Sequence, residues 1–321
     1  MYWTHSDLDA TDQTYNAKLG YALTPKFRVS GRASYIQDSS PDRDIEVTGL
    51  VLTPVKREQQ AYGGAAEYAL TEKTTATLGY DYLKQQFLAA GFVNSDSNAA
   101  NLGFVHDLSY FVNTTKARLN FGAARYTFTG SQIDNASATI GFVKQIAELW
   151  SVSLDAGGRY TRSTIEGVTF QFVPPFFFVA TPQKEKTTAY GWVGHAALSY
   201  RGEKTNAEIS LLYDLLPAYG YAGVAERTAA IFNVTRRFTY ELRGGLNAIY
   251  SLNKAEQGQF SAQTLDQETV HVIPSLRYEP TRDVAVEASY VFSWVRYRNA
   301  SDHADRNLFM VRLILQHAFF E

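Results

Sequence analysis

The chain of 321 residues contains no cysteine. That excludes disulfides, thiolate metal sites, a cysteine nucleophile and covalent c-type haem, which needs a Cys-x-x-Cys-His segment. It also lacks a basic excess. Lys and Arg number 30 against 32 Asp and Glu, a formal net charge of −2, so no basic surface is expected to hold a phosphate backbone, and nucleic acid is not an expected partner. No run approaches the roughly 18 apolar residues that a spanning helix requires. The densest, FVPPFFFVA (172–180), is short and holds two prolines. The start, MYWTHSDLDATD, has no basic segment followed by an apolar one, so it does not read as a signal peptide. An exported protein with this start is expected to be a mature form or a fragment.

Catalytic motifs are missing too. His5, His106, His195, His271, His303 and His317 are scattered singly, and neither Gly-x-Ser-x-Gly nor His-Glu-x-x-His occurs. A lone histidine on a strand reads as a polar lining residue, so no catalytic residue is assigned and the expectation is a protein that is not an enzyme. Three acidic groups (Asp7, Asp9 and Asp12; Asp38, Asp42 and Asp44; Asp302 and Asp305) match no EF-hand spacing and read as solvated loops. No metal and no cofactor are expected.

What the chain does contain is aromatic: 21 Tyr and 20 Phe, alongside 22 Gly. Aromatics favour strands, and glycine favours turns and close backbone approach. A short polar punctuation recurs. YALTPKF (21–27) is echoed by YALTEKT (68–74), and more loosely by VNTTKA (112–117), IAELWS (146–151), YRGEKT (200–205), VTRRFT (234–239) and YEPTRD (278–283). Each lies between two strand-like runs and predicts a β-hairpin. The intervening connections are expected to be longer and irregular, as in residues 38–58, most of which read PDRDIEVTGLVLTPVKRE, and in STIEGVTFQFVPPFFFVATPQKEK (163–186).

The runs after the turns alternate. One face of residues 151–160, 206–214, 240–250 and 283–294 offers 21 positions, among them Leu154, Tyr160, Leu211, Tyr213, Leu246, Tyr250, Tyr290 and Trp294, with no charge. The opposite face carries Asp155, Arg159, Glu208, Asp214, Glu241, Arg243, Asp283 and Glu287. At 19% charged composition, chance would leave such a set empty about once in a hundred, so a period of two is the better account. Two environments hide an apolar face. In a soluble sandwich it is the core; in a membrane barrel it meets lipid and the polar face lines a lumen. Three features favour the barrel. The strands run about ten residues, the length that crosses a tilted bilayer. Tyr and Trp recur near strand ends, as in interfacial girdles. The apolar face is thin, rich in Ala and Gly, where a soluble core wants volume.

The closing stretch LFMVRLILQHAFFE (308–321) resembles the C-terminal assembly signal of Gram-negative outer-membrane β-barrel proteins, carried here by Val311, Leu313, Leu315 and Phe319. It departs from the signal at His317 and by the extra Phe320 and Glu321. The resemblance implies an outer-membrane location, contact with outer-membrane lipid and insertion by the barrel-assembly machinery. The expected fold is all-β: one transmembrane antiparallel up-and-down barrel over residues 1–321, with short periplasmic turns and long extracellular loops. Seven turns and a closing strand give fifteen strands. Because bacterial single-chain barrels are even-numbered, the expectation is 16 strands, with 14 next, or the C-terminal part of a longer barrel.

The predicted lumen wall carries Arg28, Arg32, Glu67, Asp81, Arg118, Asp155, Arg159, Glu208, Glu241, Arg243, Asp283, Glu287 and Arg312, with Lys116, Lys204 and Arg277 in the same class. Mixed signs argue against strong ion selectivity. Phe170, Phe172, Phe176, Phe177 and Phe178 are the expected constriction or contact residues of the loop 167–182, since exposed apolar patches mark contact. The expected function is a channel for small solutes or ions. The hairpin style, Y-x-L-T-x-K turns followed by small-residue strands ending in Tyr, also resembles the barrel subunit of porin–cytochrome electron conduits. That implies a sheath around a lumenal or periplasmic partner such as a multihaem cytochrome. A polysaccharide export barrel is the third expectation.

Overall fold

The computed structural model describes residues 12–40, 44–52, 54–173, 177–256, 261, 264–281, 283–298 and 302–315, with the backbone alone over 167–182. Fifteen strands form one sheet: β1 Gln13–Thr24, β2 Phe27–Asp38, β3 Arg57–Ala69, β4 Thr74–Phe87, β5 Ser95–Asp107, β6 Thr115–Phe128, β7 Ser131–Ala147, β8 Trp150–Val173, β9 Phe177–Arg201, β10 Thr205–Pro217, β11 Val224–Arg237, β12 Leu242–Ala255, β13 Leu265–Tyr278, β14 Val284–Tyr297 and β15 Asp302–Leu315. A single turn of helix, α1 Ile45–Thr48, lies between β2 and β3. The sheet order is the chain order, and every neighbouring pair is antiparallel. This is an up-and-down meander, the topology that the hairpin rhythm predicts.

All seven punctuation motifs fall at turns, on 25–26, 70–73, 108–114, 148–149, 202–204, 238–241 and 279–283. The opposite end departs from expectation in two places. β6 and β7 are joined by the two-residue turn 129–130, where Gly130 adopts a positive φ of 82°. The stretch 163–186 is not an irregular loop. β8 and β9 continue through it as 24- and 25-residue strands, paired as far as Val173 with Phe177. Alternating Thr, Val and Phe along 164–173 keep the backbone extended there. Among the described residues, the pairing of β9 with β10 runs from Arg201 to Gly194 and stops, so the long hairpin rises on its own.

The two faces divide as alternation predicts. Ile140 (69% exposed), Leu211 (56%), Val311 (64%), Leu313 (63%) and Leu315 (71%) sit on an apolar outer surface. A soluble sandwich would bury these side chains, so the burial pattern selects the lipid-facing reading. Aromatic shelves run along that surface: Trp192 stacks on Tyr213 at 3.9 Å between ring centres, Trp150 meets Tyr200 at 4.9 Å and Tyr160 meets Tyr190 at 5.2 Å. Phe319 and His317 lie outside the described residues.

The buried side chains gather inside, at the end opposite the seven turns. Three clusters hold Leu50, Ala218, Ala225, Ala255 and Leu265; Phe128, Ile133, Leu215 and Val224; and Leu52, Val55, Phe87 and Tyr219. They join strands far apart in the sheet order, so the sheet curls around an interior. Among the described residues it does not close: β1 and β15 are its two ends. With an odd number of hairpin-linked strands, those two ends run in the same direction.

Candidate functional site

The interior begins with its wall. Charges on neighbouring strands meet across the sheet. Arg32 Nη2 donates to Asp81 Oδ1 at 2.6 Å, bridging β2 to β4 over β3. Gly63 makes that possible, because a Cβ there would lie 2.2 Å from Asp81 Oδ1 and 2.7 Å from Arg32 Nε. Gly191 gives way to Arg159 in the same manner, with its would-be Cβ 2.6 Å from Arg159 Nε. Arg159 pairs with Glu226, and Arg118 pairs with Asp155 while donating to Ser153 Oγ at 2.5 Å. His195 Nδ1 is 3.7 Å from Asp155. Arg28 faces Glu67 across β2 and β3, Glu208 accepts from Ser199 Oγ at 2.7 Å, and Glu287 faces both Arg277 and Arg312. Glu241 and Asp283 sit in the turns 238–241 and 279–283, at the rim.

The wall is not left open. The described residues of the β2–β3 connection, 39–56, fold inward. Arg57, 3% exposed at its side chain, fixes the entry: Nη1 donates to Asp44 Oδ1 at 2.8 Å and Oδ2 at 3.0 Å, and Nη2 donates to Asp38 Oδ2 at 2.9 Å. Planar guanidinium geometry suits this forked pairing. Asp44 sits at the N-terminus of α1, and Thr48 Oγ1 donates back to its carbonyl at 2.9 Å. At the other end of α1, Arg227 of β11 donates to the carbonyl of Val47 and reaches those of Ile45 and Glu46 at 3.5 Å. The carbonyl of Ile45 already accepts from the N–H of Gly49, while those of Glu46 and Val47 belong to the helix end, where a cation also suits the exposed acceptors.

Gly49 ends the helix with φ of 74°. A Cβ at Gly49 would lie 2.4 Å from Ser251 Cβ and 3.0 Å from Asn253 Nδ2, so the segment presses directly on β12. Gln267 of β13 then donates to the carbonyl of Val51 at 3.2 Å. Leu50, Leu52 and Val55 complete the contact by entering two of the apolar clusters.

A second segment closes over the first. The β10–β11 connection, 218–223, reaches across to the β4–β5 connection, where Val93 and Gly220 form an isolated bridge. Tyr219 packs on Leu52, Val55 and Phe87. Burial pushes the phenols of Tyr219 and Tyr221 up from the ordinary value. A pocket of about 460 Å³ remains beneath α1, lined by Val47, Val193, Leu212 and Leu216 as well as by Asn120, Asp155, His195, Asp214 and Arg227.

Sequence reasoning missed this arrangement. It takes 38–58 for an outside loop and Asp44 for a solvated carboxylate, whereas Asp44 is 4% exposed. The available signal is the apolar stretch Ile45, Val47, Leu50, Val51 and Leu52 inside a connection otherwise rich in Asp, Ser and Pro. The aromatic stretch expected to constrict the lumen or make contacts lies in the β8–β9 hairpin. Phe170 faces Ala180 and Phe172 faces Phe178 in the β8–β9 backbone pairing, and Phe177 pairs with Val173. The side chains of Phe170, Phe172, Phe177 and Phe178, and all of Phe176, lie outside the described residues.

No protein-family model matches the sequence, and no curated protein does. Solved structures do share the fold. The ferric yersiniabactin uptake receptor FyuA from Yersinia pestis superposes with a TM-score of 0.51 at 10% identity, covering 90% of this chain and 52% of that one. The ferric-catecholate import receptor Fiu from E. coli gives 0.53 at 9%, covering 90% and 58%. The siderophore receptor PiuA from Acinetobacter baumannii gives 0.51 at 11%, covering 92% and 58%. The chain thus spans between half and three-fifths of the length of these receptors. Its fold is that of Gram-negative outer-membrane β-barrels, with a strand count near the expected 16 and the sheet not closed.

Proposed function

We propose that this chain forms the wall and the gate of an outer-membrane transport barrel passing small polar solutes or ions, with residues 44–52 and the tip 218–223 as the gate. The observation that carries the reading is the anchoring of α1 inside the lumen by Arg57 at one end and Arg227 at the other. Leu50, Leu52 and Val55 seat the segment by apolar contact, and the polar bonds of the two arginines hold its helix in place; those bonds are the part that water or a solute can replace. Two of the structurally similar receptors are an uptake and an import receptor, which supports transport here without naming the solute. The apolar outer surface and the closing strand fit outer-membrane lipid and the barrel-assembly machinery as partners. The sheath reading is less favoured, because the chain's own residues already fill the loop end of the interior.

The test is solute-driven swelling of proteoliposomes. Arg227→Ala is expected to admit small sugars and amino acids much faster than the native chain. A cross-link between Leu50→Cys and Leu265→Cys, feasible because the native chain has no cysteine, is expected to stop entry until a reductant is added. Equal rates in all three would rule out the gate.

A further inference from the structure

On β2–β8 the arginines of the lumen wall each meet a carboxylate, as in Arg32 with Asp81, Arg57 with Asp38 and Asp44, and Arg118 with Asp155, whereas on β11–β13 arginines oppose one another. Near the turn end, directly opposed residues run in one row across five strands: Arg237 faces Arg243, Arg243 faces Arg277, Arg277 faces Glu287, and Glu287 faces Arg312. The row shares the lumen face with Ser251 and Gln267, since Arg243 is eight residues from Ser251 and Arg277 ten from Gln267 on strands of period two. Those two residues touch α1 or its exit, so the row lies on the same face at the far end of the barrel. Like charges directly opposed on neighbouring strands repel and are destabilising. Two such contacts occur in succession here.

The available counter-charge is small. Glu279 lies 2.8 Å from Arg277 and 3.4 Å from Arg243, and Glu287 is 3.8 Å from Arg312. Arg237 rests against the Tyr240 ring at 5.8 Å. In front of the row is a recess of about 400 Å³, lined by five cationic side chains against two carboxylates. Gly244 and Gly245 form part of its lining. Arg243 is half exposed and Arg277 is a third exposed, so both guanidinium forks are accessible from the lumen.

We propose that this arginine row is a binding site for small multivalent oxyanions, phosphate- or carboxylate-bearing solutes, at the turn-side mouth of the lumen. Guanidinium forks match the planar geometry of carboxylate and phosphate oxygens, and an anion spanning two of them relieves the repulsion that the row carries. The site deepens the transport reading by naming a solute class and rests on that reading only for the direction of travel.

The test is equilibrium binding of inorganic phosphate and of citrate to the full chain in detergent at low ionic strength, which requires no open path. The native chain is expected to bind both saturably, citrate more tightly, with affinity falling as sodium chloride is added. Arg243→Gln on β12 and Arg277→Gln on β13 are each expected to lose about tenfold in affinity, the scale of one charge-assisted hydrogen bond. Arg28→Gln, on the paired wall, is expected to stay within about twofold. Absence of saturable binding in the native chain, or equal losses in all three folded variants, would overturn the proposal. Because binding is read without flux, a chain that binds citrate but never conducts contradicts the transport reading and leaves the anion site standing.

Discussion

Two arginines decide the interior at the scale of single residues. Arg57 neutralises Asp44 in a buried setting, and truncating one partner of such a pair leaves an uncompensated charge, at a cost of about 3–5 kcal/mol. Arg57→Ala is therefore expected to lower the resistance of the barrel to urea and to raise its leak conductance together. Arg57→Ala with Asp44→Ala removes the more deeply buried pair but leaves the carboxylate of Asp38, so it is expected to recover part of the unfolding midpoint, while the gate stays loose. Gly49→Ala meets both a positive φ and Ser251, so it is expected to displace α1 without weakening the strands. Tyr219 and Tyr221 give the gate a pH dependence. Their neutral phenols are the buried form and their folded values are raised above the ordinary 10.0, so their contribution is present below about pH 10 and is lost as pH rises further. Open probability is expected to be flat between about pH 5 and 9, to rise in stronger alkali, and to stay flatter there in Tyr219→Phe. None of these partnerships is legible in the sequence, because Asp44, Arg57 and Arg227 are far apart along the chain and a lone charge in a loop or strand carries no mark of what it will meet.

Individual elements are far more legible. Period-two alternation and the turn residues place fifteen strands and their faces, because a one-residue slip would turn every apolar side chain inward and is strongly selected against. The outer positions give a direct prediction: Leu211→Arg, near the middle of β10, is expected to cost about 2–4 kcal/mol in folding equilibria in lipid, and Glu208→Gln, one face over, much less. Two connections resist the same reasoning. The aromatic, proline-containing stretch 167–182 looks like a loop because Pro174 and Pro175 interrupt it, yet the flanking Thr, Val and Phe hold β8 and β9 in register up to that point. Residues 39–56 look like a loop because Asp, Ser and Pro dominate their first half, and their fold comes from what they touch on β11, β12 and β13 rather than from local propensity.

Across the whole molecule, the arrangement has a closed loop end and an open, unevenly charged turn end. Composition alone, with nearly equal numbers of opposite charges, points to a lumen without preference. The register instead sets Arg237, Arg243 and Arg277 side by side on β11, β12 and β13, a grouping that only the strand pairing reveals. The α1 segment and the arginine row lie at opposite ends of the same face, so on the proposed path a solute entering from the turn side meets the row first and α1 last.

The most direct test of the central claim, that the chain's own residues close its lumen, is single-channel conductance in a planar bilayer for the native chain and for a variant with residues 44–52 replaced by a Gly-Ser linker. A mostly closed native chain with brief openings is predicted, with steady large steps from the variant. Identical traces from the two, with both demonstrably folded and inserted, would contradict it.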